Sequence, residues 1–257
     1  MSKILALWST PRSRSTAFMF MMRQRGDFEC FLEPFESSAY RSEDRLFDRL
    51  AHEPARAEYN FATILRALVE ASERLQLFIK DHAYYIEHLA DAQFIGHFQH
   101  SFLIRDPAQA LPSYFHKWPD LTYPETGYEA QLRLYEKVLE ATGRAPPLID
   151  AGDLVRDPAG VIRAYCAALG IPFIESALNW QPPAQNAGAG PWDGGPWHQS
   201  LSTSRGFEAS AQAHYPDVHD NARMEEFFER CRPAYRQLHA QRLIPAPAAD
   251  QAKGQEV

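Results

Sequence analysis

The sequence lacks the long apolar segments that a membrane protein needs. Its densest apolar run, Ala17 to Met22, is far shorter than the ~20 residues of a membrane-spanning helix. The N-terminal run from Ile4 to Trp8 ends at Thr10, which is too short for the apolar core of a signal peptide. We therefore expect no membrane partner and a cytoplasmic location.

Cysteine is scarce, with 3 residues in a chain of 257. Cys30, Cys166 and Cys231 are too widely spaced for a disulfide framework or a zinc site. They fit buried thiols in a reducing compartment, and we expect no bound metal.

Basic residues are outnumbered, because 26 Lys and Arg against 33 Asp and Glu give a net charge of −7. This balance argues against nucleic acid or acidic membrane surfaces as partners. Any anion site must therefore be built from a local excess of basic residues. The segment Met1 to Gly26 has such an excess, since it contains five basic residues and no acidic residue.

Apolar segments that alternate with helical patterns predict an α/β fold, in which a central parallel sheet is flanked by helices in three layers. The predicted strands are 3–9, 28–33, 75–80, a segment ending at 104, and 147–150. Predicted helices run to residue 25 and over 55–75, 158–169 and 221–241. We predict a single domain over 1–242. Within it, the Gly-, Pro- and Trp-rich stretch 178–206 forms a lid, and a disordered tail follows at 243–257.

The loop between the first strand and the first helix has the character of an anion site. A helix N-terminus offers unpaired N–H groups and a positive dipole end. The loop adds hydroxyl donors and two cations: Ser13, Ser15, Thr16, Arg12 and Arg14. The pattern G-x-x-x-x-G-K-[ST] is absent, which argues against an ordinary nucleoside-triphosphate loop. The alternative is a serine that only caps the helix beside solvated arginines.

Charged residues also follow two other predicted strands. Arg105 directly follows the fourth strand, and Ser113 lies two helical turns later. Lys80-Asp81-His82 lies at the end of the third strand, where Lys80 and His82 point to the same face. Ligands bind at the carboxyl ends of parallel strands, where a histidine can accept a hydroxyl proton and a lysine can stabilise an oxyanion. The alternatives are a structural histidine and an Arg105 paired with a carboxylate.

Taken in order, these elements resemble the sulfotransferases that use 3′-phosphoadenosine 5′-phosphosulfate (PAPS). Residues 10–16 resemble that family's 5′-phosphosulfate loop, and Arg105 with Ser113 resembles its 3′-phosphate motif. Lys80-Asp81-His82 resembles the K-x-H segment, in which the histidine is the catalytic base. Residues 148–158 are similar to the family's Y-E-D-L-x-x-D-P stretch. The resemblance covers roughly residues 3–175.

The chain departs from the family pattern in three places. Arg14 stands where the family commonly has glycine. The late R-K-G segment is absent, and its nearest counterpart is Ser204-Arg205-Gly206. Glu33 ends the second strand, where some members of the superfamily have a glutamate base. One of His82 and Glu33 is then the base and the other binds the acceptor; the alternative is that Glu33 is an ordinary charged residue at a strand end.

The resemblance implies a P-loop-like fold and transfer of a sulfuryl group from PAPS to a hydroxyl or amine of a small-molecule acceptor, without metal. The implied catalytic residues are His82, Lys80, Arg12 and Glu33. The implied PAPS-binding residues are Pro11, Arg12, Ser13, Arg14, Ser15, Thr16, Arg105, Ser113, Ser204, Arg205 and Gly206.

The sequence leaves two other functions open. One is a phosphotransferase that uses a nucleoside triphosphate, and the other is a non-catalytic module that binds a phosphonucleotide. Frequent alanine and arginine are compatible with a bacterial source. The sequence does not indicate an oligomeric state.

Overall fold

The computed structural model describes residues 4–181, 204–207 and 215–245. Among these residues the strands are β1 Ile4–Ser9, β2 Glu29–Leu32, β3 Leu77–His82, β4 Phe98–Ile104 and β5 Leu148–Asp150. The α-helices are α1 Ser15–Arg25, α2 Glu36–Arg41, α3 Phe61–Ser72, α4 Ala83–Ile86, α5 Ala92–Gly96, α6 Pro107–Lys117, α7 Tyr128–Thr142, α8 Ala151–Arg156, α9 Pro158–Leu169 and α10 Ala222–Ala240.

Within the described chain the strands form a parallel sheet in the order β2-β3-β1-β4-β5. The central strand β1 pairs with β3 on one side, where Ser9 is level with His82. On its other side it pairs with β4, where Ser9 is level with Leu103. The loop after β1 therefore emerges between the ends of β3 and β4. In a parallel α/β sheet, a crevice forms at the carboxyl ends of the strands, where the connections of neighbouring strands run in opposite directions.

Alternate residues of each strand face two separate cores, as period-2 geometry requires. Leu5 and Leu7 of β1 pack with α1 and α9, whereas Ala6 and Trp8 pack on the side of α3, α5 and α7. This arrangement confirms the predicted parallel sheet between two helical layers. In the described residues no helix is long and apolar enough to cross a membrane.

Local signals place the boundaries of α9 where the sequence predicts them. The Asp157 carboxylate accepts a 2.9 Å hydrogen bond from the Gly160 N–H, and Pro158 occupies the first turn. Gly170 ends the helix at φ 69°, a left-handed conformation in which glycine has no Cβ penalty.

Several predicted boundaries differ from the structure. The third strand continues through His82 instead of ending at Lys80, since it pairs with β1 as far as Ser9. The helix predicted from Ala55 begins at Phe61, after a 3₁₀ turn at Ala57–Tyr59. The 15-residue helix α7 is not among the predicted elements.

Two predicted segments fall largely outside the described residues. Positions 182–203 of the lid predicted at 178–206 are not described, and Trp192 and Trp197 lie among them. The same holds for residues 246–257 of the predicted tail. Leu243, the first residue of that predicted tail, donates its N–H to the Leu148 carbonyl at 2.7 Å and packs against the sheet.

Candidate active site

The loop from Thr10 to Arg14 joins β1 to α1 through two residues in the left-handed region. Arg12 has φ 59° and Arg14 has φ 66°. Such conformations are unfavourable for residues with a Cβ by about 1–3 kcal/mol each, and they cluster at functional sites. Backbone N–H groups turned inward by alternating left-handed residues form anion-binding concavities. Arg14 thus adopts the conformation that glycine favours at the position where the family commonly has glycine.

The loop is closed by an internal contact. The buried Ser13 hydroxyl donates to the Thr10 carbonyl at 2.6 Å. Ser15 begins α1 and is buried, while Thr16 is half-buried. The N-terminus of α1 consequently lies directly behind the loop, and its first N–H groups have no intrahelical acceptor.

Arg105, at the end of β4, donates from Nη1 to the Arg12 carbonyl at 3.0 Å. Its own carbonyl accepts a 2.6 Å hydrogen bond from the Tyr128 hydroxyl. Burial, and then repulsion from Arg14, lowers the pKa of Arg105 to about 10.

Ser113, on α6, accepts a 2.9 Å hydrogen bond from Arg12 Nε. Burial lowers the pKa of Arg12 and of Arg14. The fold therefore concentrates the three guanidinium groups of Arg12, Arg14 and Arg105 around the loop. Positive charge that is partly removed from solvent favours the binding of an anion.

On the other side of the loop, Lys80 and His82 point to one face of β3, as the sequence predicts. Lys80 Nζ forms an ion pair with Glu33 Oε1 and lies 3.3 Å from His82 Nε2. His82 Nε2 is also 3.3 Å from Glu33 Oε1. The two candidate bases, His82 and Glu33, therefore both contact Lys80.

The contacts of His82 define which nitrogen carries its proton. Nδ1 lies 2.8 Å from the Ser9 carbonyl oxygen, which only accepts hydrogen bonds, so Nδ1 is the protonated nitrogen. Nε2 is left as the basic atom facing Lys80 and Glu33. Burial, and then the charge of Lys80, lowers the pKa of His82, partly offset by Glu33.

Glu33 is ionised in this arrangement. Burial raises the pKa of its carboxyl, but Lys80 and His82 outweigh burial and hold that pKa well below its usual range. A carboxylate held in this way is a weak base. The geometry thus favours neutral His82 as proton acceptor, with Glu33 as the anion that balances Lys80.

Tyrosines form a wall beside His82. Tyr84 stacks on its imidazole with ring centroids 5.7 Å apart, and Tyr85 meets it edge-on at 5.4 Å. The Tyr84 hydroxyl lies 3.3 Å from that of Tyr40, which donates to the buried Glu125 carboxylate at 3.1 Å. Tyr84 and Tyr85 stand out in the sequence by their position after His82, whereas Tyr40 and Glu125 carry no local signal.

The segment Ser204–Phe207 lies against α1. Phe207 is buried between Phe18 and Trp180, and the Arg205 carbonyl accepts a 3.0 Å hydrogen bond from the backbone N–H of Trp180. The Arg205 side chain is exposed, and Ser204 and Gly206 are half-buried. Its role toward a 3′-phosphate therefore stays a prediction.

Two cavities flank the site. One of about 300 Å³ lies at the ends of β4 and β5, where Asp106, Asp150 and Tyr235 line it. The other, of about 200 Å³, is lined by Phe47 and by Tyr84, whose ring also stacks on His82.

In the part of the chain that the structure describes, no group of three or more His, Cys, Asp or Glu side chains could hold a metal ion.

In a comparison with known proteins, the sequence model of the sulfotransferase domain matches residues 2–241 of this chain. The chain is also similar to two proteins of Arabidopsis thaliana. It is 28% identical over 245 residues to branched-chain-amino-acid aminotransferase-like protein 2, covering 91% of this chain and 41% of that protein. It is 28% identical over 261 residues to protein 1 of that name, covering 95% and 44%. The chain thus spans less than half the length of these relatives.

Three solved structures are similar. The sulfotransferase domain of the curacin biosynthetic pathway has a TM-score of 0.44 and 13% identity, covering 90% of this chain and 97% of that one. The corresponding domain of a Synechococcus olefin synthase has a TM-score of 0.47 and 16% identity, covering 89% and 94%. A mouse sulfotransferase complexed with PAP has a TM-score of 0.43 and 13% identity, covering 69% and 62%.

Proposed function

The chain belongs to the sulfotransferase family, and from this premise we propose that it transfers a sulfuryl group from PAPS to a hydroxyl or amine of a small-molecule acceptor. One observation carries the proposal. A strained loop that carries Arg12 and Arg14 and contacts Arg105 adjoins, across the end of β1, a buried histidine beside a lysine and a glutamate.

The arginine side fits a donor that has phosphate at two positions. The loop N–H groups, with Ser15 and Thr16, would cradle the 5′-phosphosulfate. Arg105 and Ser113 would hold the 3′-phosphate, and Arg12, which contacts both, would lie between the two anionic groups. Buried arginines are suited to this task because their forked donors match phosphate oxygens.

The β3 side fits the acceptor. His82 Nε2 would take the proton of the acceptor hydroxyl or amine as that atom forms a bond to sulfur. The bond from sulfur to the bridging phosphate oxygen would break at the same time, and 3′-phosphoadenosine 5′-phosphate (PAP) would leave with the bond's electron pair. Lys80 and Arg12 would stabilise charge on the departing oxygen, and Glu33 would stabilise the imidazolium. Positioning and electrostatics supply this catalysis.

The name of the Arabidopsis relatives does not identify an acceptor for this chain, because this chain matches less than half of each relative. The acceptor is therefore defined only by class.

Calorimetric titration with PAP, without metal and with adenosine 5′-phosphate as the matched control, tests the proposal. Tight binding only of the nucleotide that carries the 3′-phosphate is the expected result. Equal or absent binding of the two nucleotides would overturn the proposal, and magnesium-dependent turnover of ATP would replace it with a phosphotransferase. Tight PAP binding without transfer of sulfate from PAPS to any of a panel of alcohols, phenols and amines would indicate the non-catalytic module.

A further inference from the structure

Asp81, between Lys80 and His82, is the one residue of this trio that points to the opposite face of the strand. Its side chain is fully buried, with 0% exposure. Burial, and then the charge of Glu33, raises the pKa of its carboxyl well above the ordinary value. Burying a carboxyl group is unfavourable unless hydrogen bonds compensate, so its contacts identify its role.

The two oxygens of Asp81 accept hydrogen bonds from two different segments. Oδ1 accepts the N–H of His82 at 2.8 Å, and Oδ2 accepts the N–H of Phe35 at 2.9 Å. Phe35 ends the short loop that begins with Glu33. One carboxylate therefore bridges the backbone of the histidine and the backbone of the loop that carries the glutamate.

The Glu33 loop needs such a bridge. Glu33 has φ 49°, in the left-handed region that is unfavourable for a residue with a Cβ. Its N–H donates to the Lys80 carbonyl at 2.7 Å. Together with the Phe35 contact, this bond holds the loop to β3 on both sides of the Glu33 side chain, which reaches Lys80 and His82.

We propose that Asp81 is a positioning residue that bridges the Glu33 loop to His82 and thereby keeps the Glu33 carboxylate against Lys80. The catalytic consequence rests on the proposed function. When the bridge is lost, Glu33 relaxes away, and the uncompensated charge of Lys80 beside Nε2 weakens His82 as a base.

The titration of His82 reports the position of Glu33 directly. The groups that face its imidazole are Lys80 on the same strand, Glu33 from the loop after β2, the carbonyl and hydroxyl of Ser9 from β1, and the rings of Tyr84 and Tyr85 from α4. The tyrosine hydroxyls stay protonated near neutral pH, because burial raises the pKa of both.

The experiment uses the full chain with isotope-labelled histidine rings and follows the His82 resonance by NMR against pH, assigned by its loss in His82→Gln. It compares the unmodified chain with Asp81→Asn and Asp81→Thr. Asn keeps the shape but replaces one of the two accepting oxygens with an NH₂ group, which cannot accept the N–H that faces it. Thr suits a strand and removes the buried carboxyl group, so it protects folding. Asp91→Asn is the matched control, because Asp91 accepts the Phe94 N–H at 2.8 Å away from the site.

We expect the His82 titration midpoint to fall by about one pH unit or more in both Asp81 variants, because an opposite charge at this distance shifts a pKa by ~1–3 units. The control should match the unmodified chain, and all variants should bind PAP equally. An unchanged or raised midpoint overturns the proposal. So does failure of both variants to fold, because Asp81 would then be required for folding and not for positioning. Failure of the unmodified chain to bind PAP defeats the proposed function separately, without altering what the midpoint says about Asp81.

Discussion

Arg12 Nε donates a 2.9 Å hydrogen bond to Ser113 Oγ and thereby joins the loop after β1 to a helix 101 residues further along the chain. We expect Arg12 to contact the 5′-phosphosulfate of the donor and Ser113 to contact its 3′-phosphate. The hydrogen bond therefore places the residues expected at the two phosphates side by side. It also makes the orientation of the Arg12 guanidinium depend on a hydroxyl group.

Ser113→Ala tests whether the Ser113 hydroxyl belongs to the site of the 3′-phosphate. We expect PAP to bind about tenfold or more weakly, since a hydrogen bond to a charged group is worth ~1.5–3 kcal/mol. Binding of adenosine 5′-phosphate should weaken less, because that nucleotide lacks the 3′-phosphate and is affected only through the orientation of Arg12. Calorimetry on both nucleotides measures the difference. Ser37→Ala is the control, because the Ser37 hydroxyl donates to its neighbour Glu36. An equal loss for both nucleotides would contradict the 3′ assignment.

His82→Gln and Glu33→Gln distinguish the two candidate bases. We expect His82→Gln to reduce sulfuryl transfer by about 10²–10⁴-fold, the usual contribution of a general base, with PAP affinity retained. Glu33→Gln should have a smaller effect, because the low pKa of Glu33 makes it a poor base. Transfer of label from sulfur-35 PAPS is the measurement. If Glu33→Gln is the more damaging change, the two roles are reversed.

The rate of transfer should rise with pH through the pKa of His82, because only the neutral imidazole accepts a proton. Burial, and then the charge of Lys80, lowers that pKa, so the midpoint of the acid limb should lie below about 6.5, the ordinary histidine value. A rate profile between pH 4.5 and 8.5 checks this. A midpoint at or above pH 7 would show that Glu33 dominates the charge around His82.

Arg14→Gly and Arg14→Ala isolate the backbone strain of the phosphate loop. Both substitutions remove the same charged side chain, but only glycine adopts φ 66° without steric conflict. We expect Arg14→Gly to be more stable than Arg14→Ala by about 1 kcal/mol, measured by urea unfolding. Both should bind PAP more weakly than the unmodified chain. Equal stability of the two variants would show that the left-handed conformation of Arg14 is not strained.

The positions of the main strands follow from local rules. Period-2 patterning places Lys80 and His82 on one face of a strand. The pairing of β3 with β1 shows that this strand extends to His82. The 15-residue helix α7 was missed although Leu134, Tyr135 and Val138 are buried at helical spacing. Of its residues, Gln131 reaches the end of β1 and donates to the Trp8 carbonyl at 2.8 Å.

By itself, the sequence determined the strand–loop–helix at residues 4–25, the cationic character of that loop and the shared face of Lys80 and His82, because each depends on residues near one another in the chain. Only the tertiary structure decided that Glu33 meets Lys80, that Arg12 meets Ser113 and that Asp81 bridges two segments. These contacts depend on the strand order β2-β3-β1-β4-β5. That order is set by how helices pack across the whole sheet, and no local pattern of residues encodes it.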